Sequence, residues 1–243
     1  MQIIKKHTIP EYASIIKKGQ SDAIKLIPET RYLVNNIKIG NTGINGEPDG
    51  IRLGKCHQSF NGSNKIYVSK TLLEMYEPND YMDEKIRATI VHEYVHVSTT
   101  VYAYNKKPLS MYLSILRGNQ RSLEKQLIEE FYSEHKNNLF AKYIEEKRAG
   151  EDIPSELISE AYESVYSKDE YMDEAQAIVK DYQKVLNQKP KVPIIVFVVL
   201  TKLRNIVHNI LLIPMVLMET LMYVTFALIT FRALMELLST VGA

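Results

Sequence analysis

The sequence predicts an α+β fold, mostly helical, with a small sheet near the N-terminus and a hydrophobic helical C-terminal tail. Three observations carry this reading. Short β-prone runs and most of the ten glycines crowd between Arg31 and Ser69. From Asp83 onward apolar residues recur at helical spacing almost without a break. Beyond Lys191 charge nearly vanishes and apolar residues dominate.

The elements follow in order. The opening Met1-Gln2-Ile3-Ile4-Lys5-Lys6 has lysines but no apolar stretch after them, so a Sec-type signal peptide is not expected. A helix is expected from Thr8, with Pro10 in its first turn and Gly19 as its stop, and a second short helix from Ser21. Tyr32–Val34, Ile37–Ile39, Ile51–Leu53 and Lys65–Ser69 read as strands, punctuated by Gly40, Gly43, Gly46, Pro48-Asp49-Gly50, Gly54 and Asn61-Gly62. Neither GxGxxG nor GxxxxGK[ST] occurs there, so these glycines mark turns and not a phosphate cradle. One helix is expected from Asp83 to about Val101 and a long one from Ser122 to about Arg148. Ser155–Tyr166 and Ser167–Asn187 read as a helical pair, the second opened by a capping box, Ser167-Lys168-Asp169-Glu170.

Pro190 and Pro193 among polar residues mark a boundary. Two parts are expected: residues 1–188 as the polar, helix-rich domain and residues 189–243 as the apolar helical module.

Composition narrows the function. The 243 residues are 45% hydrophobic and 24% charged, an ordinary globular balance that excludes global disorder and collagen-like repeats. The net charge is +1 with no basic stripe, so nucleic acid is not an expected partner, because phosphate contacts need clustered cations. Cys56 is the single cysteine, which excludes an internal disulfide and suits a reducing cytosol. Its neighbour His57 does not make it a catalytic dyad, since adjacent strand residues point to opposite faces.

Chemistry concentrates in Val91-His92-Glu93-Tyr94-Val95-His96-Val97, an HExxH sequence within a helix. His92 and His96 lie one turn apart on one face, so both imidazoles can reach one metal ion, with Glu93 beside them as general base. Ile86, Ile90, Val91, Val95 and Val97 give the helix apolar flanks, and a buried imidazole pair needs a partner that a metal supplies.

On this motif the chain resembles the zincin metallopeptidases, over about residues 30 to 145. The resemblance implies Zn2+ as cofactor, protein as substrate, and a mixed sheet before the active-site helix whose edge strand holds extended substrate. Lys65–Ser69 looks like that strand. The metzincin continuation is absent after His96, which leaves a third ligand from a later helix, as in the gluzincins. Glu130 is the first choice, because Glu130, Ser133 and Glu134 look like the gluzincin pattern of a Glu, a small residue three on and an acid four on. Glu134 is the alternative third ligand, and otherwise orients a ligating histidine. Tyr132 and His135, with Tyr102 and Tyr104, are the oxyanion candidates.

The tail has a run from Ile210 to Phe231 with one charged group, Glu219, near its middle. The length could just span a bilayer, but a central carboxylate is costly there. Buried or partner-binding helices are therefore expected ahead of membrane contact. The absence of a Sec signal, the single cysteine and the HExxH domain with an added module resemble the metalloprotease effectors that bacteria inject into host cells. One such effector cleaves actin. That resemblance implies action in a host cytosol on a host protein, with actin the candidate. The other function class is a non-catalytic or membrane-anchored binding protein whose HExxH is structural or accidental.

Overall fold

The first helix, α1 (Ile9–Leu26), runs through Gly19 without a break. The expected stop is instead a contact point. A Cβ at Gly19 would sit 2.8 Å from Ile90 Cδ1 and 3.1 Å from Arg87 Cα, so glycine lets α1 press closely on a second helix. This is a computed structural model, and it describes residues 9–43, 48–58, 64–76 and 79–188. The expected tail, residues 189–243, lies outside the described residues, as does its relation to a membrane. Among the described residues no helix is long and apolar enough to cross one.

A short 3-10 turn over Pro28–Tyr32 leads into β1 (Val34–Gly40). The other strands are β2 (Gly54–His57) and β3 (Asn64–Ser69), in the order β1-β3-β2. β1 runs parallel to β3 and β2 antiparallel to it, which makes a small mixed sheet. Two expectations change here. The strand expected at Ile51–Leu53 lies three residues later, and Lys65–Ser69 is the central strand, so the edges are β1 and, lying on the helix Asp80–Lys106, β2. Its approach is pinned by Asp49, whose carboxylate accepts from Thr42 N–H and Thr71 N–H at 3.1 and 2.9 Å. Burial works against that charge, but these hydrogen bonds hold the Asp49 carboxyl well below the usual carboxylate range.

The sheet has two unlike faces. Ile37, Ile66 and Cys56 form one cross-strand row and Ile39, Val68 and Gly54 the next, and these rows face the core. The alternate rows carry Asn36, Lys65 and His57, then Lys38, Tyr67 and Lys55, and are exposed or half-buried. A period of two along each strand separates the faces.

After α2 (Lys70–Met75) comes α3 (Asp80–Lys106), which organises everything else. The Asn79 side chain caps it by accepting from Met82 N–H at 2.8 Å, and Asp80 and Asp83 oppose the positive end of its dipole. Ile86, Ile90, Val91, Tyr94, Val95 and Val97 are all fully buried. A helix apolar around its circumference has to be enclosed, and each such side chain contributes roughly 1.5–3 kcal/mol. The enclosure is α1, the sheet, and a layer of later helices.

Those helices are α4 (Pro108–Arg117), α5 (Gln120–His135), α6 (Leu139–Lys147), α7 (Ile153–Ser167) and α8 (Met172–Leu186). The single helix expected over Ser122–Arg148 is two: α5 stops at His135, and Asn138 caps α6 by accepting from Phe140 N–H. The expected capping box also fails. Lys168 adopts the left-handed conformation at φ 54° as α7 ends, and Asp169 instead organises the turn by accepting from Ser164 and from Tyr171 N–H. The α+β, mostly helical class holds.

Candidate active site

α3 carries His92 and His96 on one face, and their Nε2 atoms converge to 3.2 Å. The third group at this point is Glu156, near the start of α7. Its Oε2 lies 3.4 Å from His92 Nε2 and its Oε1 3.4 Å from His96 Nε2. Two ligands about 2.05 Å from a tetrahedral zinc would stand about 3.3 Å apart, which is close to the separation of the two Nε2 atoms, and Glu156 turns one carboxylate oxygen toward each of them.

The other ring nitrogens are held from behind. His92 Nδ1 lies 3.1 Å from Glu163 Oε2, and His96 Nδ1 lies 3.0 Å from Ser155 Oγ and 3.3 Å from Ser159 Oγ. With Nδ1–H directed at Glu163, the Nε2 lone pair of His92 faces inward, the arrangement by which a carboxylate orients a ligating imidazole. The two carboxylates, Glu156 and Glu163, favour positive charge at this point, which a proton on His92 or a bound cation can supply. Burial disfavours a charged imidazole, yet Glu156 and Glu163 raise His92 to about 10. Burial and the His92 charge lower His96 to about 4. Glu156 and Glu163, though partly desolvated, are both held down at about 2 by His92 and neighbouring cations. The pocket is thus built to hold positive charge between two imidazoles and a carboxylate.

A second cluster, His92 with Glu160 and Glu163, also brings ligand atoms together. It already has its cations. Lys147 and Arg148 bind Glu160, and Lys85 binds Glu163 at 2.9 Å. The first cluster has no Lys or Arg paired to Glu156 among the described residues, and it is the one that fits a metal.

Glu93 lies beside this point, only 6% exposed, under the edge strand. A Cβ at Gly54 would stand 2.4 Å from Thr89 Cγ2 and 2.8 Å from Glu93 Oε1, so glycine is what lets β2 pass over α3 here. Burial raises Glu93 to about 7, against the attraction of His92. Gly54→Ala is expected to cut turnover roughly 10- to 100-fold by displacing the base, with metal content unchanged; loss of metal in step with activity would refute a purely positional role.

The cleft around these groups has a volume of about 550 Å³. One wall is the edge strand and its approach, Ile51 to Cys56; Arg148, Ser155, Glu156 and Glu163 form the other, over a floor of Lys85, Thr89, His92, Glu93 and His96. Gln58 ties the end of β2 to the helix by donating to the His96 carbonyl at 2.7 Å. Cys56 faces Glu93, and burial together with that carboxylate pushes its thiol far up, so it is no nucleophile.

The structure brings His92, Glu93 and His96 together but not the other expected residues. Glu130 is on the exposed side of α5, where Lys107 and Gln126 hold it at 3.3 and 3.0 Å. Glu134 is exposed on the same helix. The buried stripe of α5 is Gln120, Glu124, Leu127, Ile128 and Phe131, and that stripe, not the one bearing Glu130, turns inward. Tyr132 binds Glu145, and His135 contacts Asp181 and the Phe131 carbonyl. Tyr102 stacks on Tyr182 and Tyr104 is buried. None of these four lines the cleft.

Glu156, Glu163, Ser155, Ser159 and Arg148 are not among the residues that the motif singles out, although the sequence carries a signal for them. Glu156, Ser159 and Glu160 repeat the pattern that pointed to Glu130. Here the small residue is fully buried against His96, whereas Ser133 is exposed. The chain matches no protein-family model, no curated protein and no solved structure.

Proposed function

We propose that the chain is a zinc-dependent endopeptidase, with His92, His96 and Glu156 as metal ligands and Glu93 as general base. The observation that supports it is the convergence of two imidazole Nε2 atoms and the Glu156 carboxylate, with the buried Glu93 carboxylate beside them under β2. A zinc ion bound there supplies a Lewis acid and lowers the pKa of its water toward 7.

The remaining work belongs to the chain. Glu93 takes the proton of the attacking water and returns it to the leaving amine, a role that suits a carboxyl raised to about 7. Glu163 and the Ser155–Ser159 pair fix the imidazoles. Among the described residues β2 pairs along one side only, and we propose that its other edge takes an extended peptide by strand addition. Three of the cleft cations are tied to carboxylates, Lys85 to Glu163, Arg52 to Glu151 and Arg148 to Glu160, and the fourth, Lys55, donates to the Gly43 carbonyl. They set the field of the site while their own positions stay fixed. As substrate we propose a protein of a host cytosol, with actin the first to test, on the effector resemblance alone.

Metal analysis of the full chain decides the reading. About one zinc per chain is expected, with hydrolysis of a denatured protein substrate lost to a chelator and restored by zinc. A wild-type chain free of divalent metal would leave the motif structural and make the protein a non-catalytic binder.

A further inference from the structure

Five of the six side chains in two successive rows of the sheet's outer face are basic or aromatic and none is acidic. The register sets them in two rows across three strands. Asn36, Lys65 and His57 form one row, and Lys38, Tyr67 and Lys55 the next. Lys38, Asn36 and His57 are exposed, and Lys55, Lys65 and Tyr67 are half-buried. Like charges on neighbouring strands repel, and sheets ordinarily set an acid opposite a lysine to relieve this. Here Lys38 and Lys65 form no ion pair with any described residue, and Lys55 donates to the Gly43 carbonyl at 2.7 Å. Lysines on edge strands are a common guard against edge pairing, but Lys65 is on the central strand, where no edge needs guarding. The Tyr67 ring rests beside Gly40, where a Cβ would come within 3.3 Å of Cδ1, so this glycine leaves the ring room to lie across the sheet.

We propose that this face is an exosite that captures an acidic segment of the protein substrate. The proposal builds on the peptidase reading and names what the enzyme grips outside its cleft. Two features select the occupant. First, the geometry suits an extended chain. Its same-side residues repeat every ~6.7 Å, which is the step between the two rows, and the flanking lysines of the second row stand about 10 Å apart across Tyr67. Second, the face is continuous with the cleft, because Lys55 belongs to both the outer row and the cleft lining. A segment held on the face therefore leads its chain toward the free edge of β2. Single-stranded RNA is the other polyanion for a basic sheet bearing an aromatic ring. The face has two rings, Tyr67 and the smaller His57, set in different rows, and no arginine, while lysine holds three of its six positions, which favours carboxylates over stacked nucleobases.

The test separates this proposal from the peptidase reading by measuring binding without cleavage. Full-length Glu93→Gln protein is titrated against fluorescein-labelled 12-residue peptides of alternating Glu-Gly or Ser-Gly, and against a 12-nucleotide oligo-uridine. The Glu-Gly peptide is expected to bind about tenfold more tightly than Ser-Gly, with the difference shrinking as salt rises. K38E/K65E is expected to erase that preference; K38Q/K65Q reduces it and serves if charge reversal impairs folding. In an otherwise wild-type chain, K38Q/K65Q should leave cleavage of a short neutral peptide unchanged and slow cleavage only of substrates carrying an acidic segment. Equal binding of the acidic peptide by parent and both lysine variants would overturn the proposal. So would tighter binding of oligo-uridine that is lost in the same variants, which assigns the face to nucleic acid.

Discussion

Glu93→Gln should keep its metal and lose turnover by roughly 10²–10⁴-fold, the range that a positioned general base contributes. Gln has the size of Glu, fits under Gly54, and retains an oxygen to accept the Cys56 backbone N–H that now bonds the carboxylate. What it lacks is a site for the proton. The pH profile gives a second, independent reading. Burial raises Glu93 to about 7, and below its pKa the group already holds the proton it must accept. A bound cation favours the carboxylate and moves the value down, so the acid limb of kcat/KM lies at or below pH 7 and activity falls as pH drops through it. The variant's residual rate should lack that limb. Near-wild-type turnover in Glu93→Gln, with zinc intact, would remove Glu93 from the mechanism.

The sequence revealed α3 and its motif because both are local. Apolar residues around a whole helix require burial, and i, i+4 spacing fixes which side chains share a face, whatever packs outside. The edge strand is poorly legible in the sequence because its composition is weak. Gly54-Lys55-Cys56-His57 has one apolar residue, whereas Ile66 and Val68 give β3 the strong alternation of a strand buried between two others. Edge strands bury less and so leave less signal. The third ligand is a tertiary matter, since two acidic helices follow α3 and only packing decides which one meets it. Context could still have ranked them. Glu129, Glu130 and Glu134 sit beside Lys125 and Gln126 on a solvated face. Glu156, Glu160 and Glu163 alternate on their helix with Leu157, Ile158, Ala161 and Tyr162, all buried. Acids on a helix that apolar residues commit to the interior have to meet a cation there.

The largest effect on metal binding is expected at Glu156. Glu156→Ala removes one of three ligand atoms and the only carboxylate within 3.4 Å of both Nε2 atoms among the described residues. Zinc affinity should fall by more than the ~10- to 100-fold that loss of an orienting partner costs. Glu163→Gln falls in that smaller range, since it weakens the hold on His92 Nδ1 and leaves every ligand in place. Glu130→Ala should leave zinc content unchanged and cost less than about 0.5 kcal/mol of stability, because its exposed ion pair with Lys107 is screened by solvent. Chelator competition on the three full-length variants, with circular dichroism as a check on folding, gives the order directly. The assignment depends on α7, and not α5, closing the site. Stoichiometric zinc in Glu156→Ala alongside loss in Glu130→Ala would reverse it, because no displacement within α7 alone brings Glu130 around from the outer side of α5.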